Sequence, residues 1–176
     1  MNDEQRAALL RVRQHIVETP ERFDMRDLFT DIERYDAELE MEDNLHCGTA
    51  LCMAGWALYD KHLSHLPVEE QNASDFEDLI SEIAARESPD PQSFLWSLAE
   101  ARALLGLPYD HLFYTGRWPT PWLLRQGLHP KGDWTAVVLD DEAKGAVLLI
   151  DALLSGEIEM TEGGWAFPDG NVCYVV

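Results

Sequence analysis

Five residues with metal- or thiol-type chemistry fall between positions 46 and 65: His46, Cys47, Cys52, His62 and His65. Together they resemble a zinc ligand list. A tetrahedral site needs its ligand atoms within about 2.3 Å of the ion. The run Ala50 to Tyr59 is apolar throughout, and a helix from Thr49 to about His62 is expected there. Such a helix puts Cys52 and His62 about 15 Å apart along its axis. They cannot share an ion unless the helix breaks. His46, Cys47 and Cys52 could converge if Cys47 precedes the helix. His62 and His65 would need ligands from elsewhere, and as satisfied or surface histidines they need none. No metal and no other cofactor is expected.

Cys47 invites a second chemistry. Just before a buried helix, free N–H groups and the helix dipole favour a thiolate. A nucleophile also needs a base, for which His111 or His129 could serve, with Asp133 to orient it. The local sequence Cys47-Gly48-Thr49-Ala50 departs from the papain-like pattern, which places Cys and Trp after Cys-Gly-Ser. The simpler reading takes Cys47 and Cys52 as small buried residues. A calcium loop, a His-Glu-x-x-His pair and a glycine-rich phosphate loop are all absent from the sequence.

A third constellation lies in 109–134. Trp118, Trp122 and Trp134 follow Tyr109, Phe113 and Tyr114, interleaved with Arg117, Arg125, His129 and Lys131. Trp, Tyr and Arg dominate binding hot spots. Trp118, Trp122, Arg117 and Trp134 are therefore the candidate partner-binding residues. The competing reading is a satellite core that packs a Pro/Gly-rich loop.

The elements that must position these groups are mostly helical. Asp3 is expected to cap a helix to about Glu18, with Leu9, Val12 and Ile16 at helical spacing and Pro20 ending it. A short helix near 25–34 and then a solvated acidic arm are expected next. Thr49 caps the apolar helix, which belongs at the centre of the fold because no side of it suits water. Further helices are expected over 74–86, 92–105 and 141–154, a short one near 109–113, and a turn or two at 121–125. Gly106 and Gly156 stand where left-handed caps belong. Trp165-Ala166-Phe167 and the run Val172 to Val176 flank Pro168-Asp169-Gly170-Asn171, a β-hairpin pattern, to which 135–139 could add a third strand. The expected architecture is a mainly α domain of five or six helices around the 49–62 helix. The domain spans 1–160, and the C-terminal hairpin, 161–176, packs on it.

The chain has 176 residues and a formal net charge of -20. Acids gather in 31–43, 66–90 and 133–162; the central helix holds one, Asp60, and 109–131 holds one, Asp110. This charge disfavours direct nucleic-acid binding, which requires a basic footprint. An anionic membrane surface would repel it. No apolar run approaches the length that crosses a bilayer, nothing at the start reads as a signal peptide, and three cysteines do not make a disulfide scaffold. A cytoplasmic protein is expected.

The segment His46-Cys47-Gly48-Thr49-Ala50-Leu51-Cys52-Met53-Ala54-Gly55-Trp56-Ala57 resembles a group of uncharacterised small proteins of phages and high-GC bacteria. The group is marked by Cys-Gly-Thr-x-x-Cys-x-Ala-Gly-Trp-Ala. Ala101 to Leu107, Leu112-Phe113-Tyr114, Trp118-Pro119 and Phe23-Asp24-Met25 add looser matches. The resemblance implies a shared helical core and a cytoplasmic setting, and brings no catalytic residue or cofactor. The hairpin lies outside it.

These observations give three functional expectations. The first is a non-catalytic acidic interaction or accessory protein that binds a protein partner of basic character. The second is a hydrolase or transferase using Cys47. The third is an acidic mimic of nucleic acid that occupies a DNA- or RNA-binding protein. The oligomeric state stays open.

Overall fold

Asn2, not Asp3, begins the first helix. Its side chain accepts the Gln5 N–H while the Gln5 side chain accepts the Asn2 N–H, a reciprocal capping box. The computed structural model describes residues 1–23, 29–31, 49–65, 73–87, 93–114, 117–131, 138–139, 141–174. Helix α1 (Asp3–Glu18) buries Leu9, Val12 and Ile16 on one face, as their spacing demands. Thr19 and a 3-10 turn (Pro20–Arg22) close it.

The expected 25–34 helix and the long 49–62 helix are both corrected. Strand β1 (Phe29–Asp31) pairs antiparallel with β2 (Thr49–Leu51), and Phe23 bridges to Leu51. The chain therefore enters the core as a strand. Cys52 is extended (φ -76°, ψ 179°), and its Sγ accepts the Gly55 N–H at 3.4 Å, so it and not Thr49 is the cap. Helix α2 (Met53–Leu58) is buried at every position. It passes directly into a π-helical turn (Tyr59–Leu63), closed by Ser64 N–H to Tyr59 O at 2.8 Å. Apolar character on all sides signalled burial correctly. It could not distinguish strand from helix, because a fully buried strand has the same pattern.

Helix α3 (Ala73–Glu87) turns Phe76, Ile80, Ile83 and Ala84 inward. Helix α4 (Ser93–Leu105) buries Leu98, Ala101 and Leu105 and stops at Gly106 in the left-handed region (φ 65°). A 3-10 turn (His111–Phe113) and a short α5 (Thr120–Arg125) follow. Asp141 caps α6 (Glu142–Ser155) by accepting the Lys144 N–H, and Gly156 ends it. Leu149 and Ile150 are wholly buried there, each worth about 1.5–3 kcal/mol of transfer free energy.

The protein is mainly helical with a small three-stranded antiparallel sheet at its C-terminal end. The expected hairpin is β6 (Gly164–Ala166) with β7 (Val172–Tyr174). The third strand is β5 (Glu159–Thr161), not 135–139. Strand β4 (Val138–Leu139) pairs instead with β3 (Pro130–Lys131), a separate two-stranded ladder. Trp165, with no exposed surface, anchors the sheet in the core shared with the helices.

Candidate functional site

Two polar constellations stand out among the described residues. The first surrounds the 3-10 turn at 111–113. Gly106 swings the chain out of α4, and Asp110 begins the turn that buries His111, Leu112 and Phe113. His111 Nε2 lies 2.9 Å from Thr161 O. A carbonyl only accepts, so Nε2 carries the hydrogen in that contact. Nδ1 has no hydrogen-bond partner and sits 3.8 Å from Asp110 Oδ1. Arg117 Nη1 holds that same oxygen at 2.6 Å. Tyr109 stacks on the imidazole, and the Arg117 guanidinium lies 4.9 Å over the Tyr114 ring. Burial, then the charge of Asp110, pushes the Tyr114 hydroxyl above its ordinary pKa, with Arg117 opposing.

This centre fastens the sheet to the helices. Trp165 Nε1 donates to Arg117 O at 2.6 Å, beside the His111–Thr161 contact. Trp118 Nε1 donates to Leu112 O at 3.0 Å. Trp122 Nε1 reaches Glu157 Oε1 at 3.3 Å. Both indoles are buried with their polar handles engaged internally, so their rings pack the loop. Arg117 remains partly exposed.

The second constellation lines a groove between α1, the π turn and α4. Asp60 contacts His15 Nε2 at 2.7 Å and Arg11 Nε at 3.1 Å. The neighbouring residues Lys61 and His62 both face Glu100. The hollow between them measures about 400 Å³, floored by Ala8, Ala57 and Leu104 and rimmed by Arg11, Lys61 and Glu100. The π turn fits one more residue into its turn than an α-helix would, and Asp60 serves α1 while its successors serve α4. Sequence reasoning missed Asp60, Glu100 and His15. One signal was present: Glu100 is the sole acid in a mostly apolar α4.

The candidates from sequence divide accordingly. The structure brings His111, Arg117 and Trp118 together. His129 is exposed. His46, Cys47, Asp133 and Trp134 lie outside the described residues. Cys52 is buried as the α2 cap. Among the described residues no three His, Cys, Asp or Glu side chains cluster as a metal site. No described helix is long and apolar enough to cross a membrane.

No protein-family model, curated protein or solved structure matches the chain.

Proposed function

We propose that this is an acidic, non-catalytic interaction protein that binds a basic surface on a partner protein. The supporting observation is how its acids are sorted. Asp60, Glu100, Asp110 and Asp151 each hold a base of the chain itself. The outer face of α3 is different. Asp78 and Glu82 are exposed there, opposite the buried Phe76, Ile80 and Ile83, and neither forms an ion pair among the described residues. Arg86 is the helix's sole base. Unpaired carboxylates on a rigid, well-anchored helix steer and orient a cationic partner, and add specificity more than raw affinity.

The test is capture by the immobilised full chain from a cell lysate, with salt raised from about 0.1 to about 1 M. A discrete protein should be retained and then released by salt. It should also be lost when Asp78 and Glu82 are both replaced by Lys. Retention that ignores salt and the double replacement would overturn the reading.

A further inference from the structure

His62 sits in the π turn with most of its ring buried and Trp96 beside it, ring centroids 6.1 Å apart. Its Nε2 is buried and lacks a hydrogen bond, yet lies 3.6 Å from Glu100 Oε1. That oxygen also holds Lys61 Nζ. Glu87, at the end of α3, is the other charged group facing His62. One carboxylate oxygen thus stands within reach of two bases, and serves one of them.

We propose that His62 is an acid-responsive latch: when it takes up a proton it draws Glu100 from Lys61 and frees the Lys61 ammonium into the groove between α1, the π turn and α4. In the neutral ring Nε2 gains nothing at 3.6 Å. Once charged, it needs to close by only about 0.7 Å to make a charge-assisted hydrogen bond. The proton comes from solvent and stays on the ring, and no other bond is made or broken. Burial first, and the charge of Lys61 second, hold the His62 pKa below the ordinary histidine value, while Glu100 and Glu87 act the other way. The ring is therefore neutral at neutral pH and the latch moves on the acid side of about 6.5. The unfolded chain takes this proton first. The contribution to stability is intact above about 6.5, falls as pH drops below it, and stops falling beneath the folded-state pKa.

The test is NMR of the isotope-labelled full chain, following the His62 ring and the Lys61 side chain through an acid titration. The His62 midpoint should lie below that of free histidine, and the Lys61 signals should move with the same midpoint. Lys61→Met should raise the midpoint and Glu100→Gln should lower it. A wild-type midpoint at or above the ordinary histidine value would overturn the latch. So would Lys61 signals indifferent to it, or a Lys61→Met variant that leaves it unmoved. The wild-type titration stands even if a variant fails to fold.

Discussion

His15 lies flat on Trp56, with ring centroids 4.4 Å apart and planes 7° from parallel. Tyr59 meets both rings edge-on, and Arg22 places its guanidinium 5.4 Å from the Trp56 ring centre. Asp60 fixes the imidazole from the side. One residue of α1 thus joins the apolar α2 and the π turn through a ring face and a polar edge at once. His15→Ala should cost about 1–2 kcal/mol, from the stack and the Asp60 contact together. Urea unfolding would read this as a lower midpoint at unchanged slope. An unmoved midpoint would mean that the stack does not hold the two elements.

Trp165 joins the C-terminal sheet to the helical body by burial and by its bond to Arg117 O. Trp165→Phe keeps most of the apolar area but orphans a carbonyl, at a cost of about 1–3 kcal/mol. Trp165→Ala adds a cavity and should cost about 3–5 kcal/mol. Limited proteolysis should then cut first in 157–171. Equal costs for the two variants would show that the hydrogen bond dominates.

Gly106 and Gly156 separate conformation from crowding. Both have positive φ, 65° and 76°, at helix ends. A methyl group at Gly156 meets nothing within 4 Å, whereas at Gly106 it would sit 2.6 Å from Gln5 Oε1. Gln5 is held there by its capping-box role and by its bond to Ala103 O. Gly156→Ala should cost about 1–2 kcal/mol for the left-handed backbone alone. Gly106→Ala should cost at least about 1 kcal/mol more through overpacking. Thermal unfolding of the two variants side by side measures the difference.

The thiols give a clean test of the catalytic alternative. Burial pushes the Cys173 thiol above its ordinary pKa, and Cys52 is buried as a helix cap. Both should alkylate slowly in native protein at neutral pH, because the thiolate is the reacting form. Iodoacetamide labelling followed by peptide mass mapping assigns each rate. Rapid labelling at Cys47 would support the nucleophile reading, and sluggish labelling at all three positions would remove it.

Much of the fold was legible where periodicity was regular. Leu9, Val12 and Ile16 announced α1, and Phe76, Ile80 and Ile83 announced α3. Asp141 and Gly156 marked the ends of α6. The failures have one physical origin. From Ala50 to Tyr59 every side is apolar, so strand and α-helix share one pattern and only long-range pairing separates them. Phe29 to Asp31 is a strand because Leu51, Ala50 and Thr49 lie beside it, a contact that no local rule contains. Within the aromatic stretch 109–134, Trp118 and Trp122 are core residues; hydrogen bonds such as that from Trp118 to Leu112 O depend on the path of the loop, which spacing does not give. The groove at Asp60, Lys61, His62 and Glu100 joins residues forty positions apart, and spacing within one helix cannot reveal it.

The most direct measurement of the central claim is the affinity of a captured partner for the wild-type chain, for Asp78→Lys/Glu82→Lys and for a control, Glu159→Lys, at low and high salt. The acidic-surface account expects the α3 double variant to lose at least about tenfold in affinity, near 1.4 kcal/mol, and to flatten the salt dependence. Glu159→Lys should stay near wild type. Equal affinity and equal salt dependence for all three proteins would contradict it.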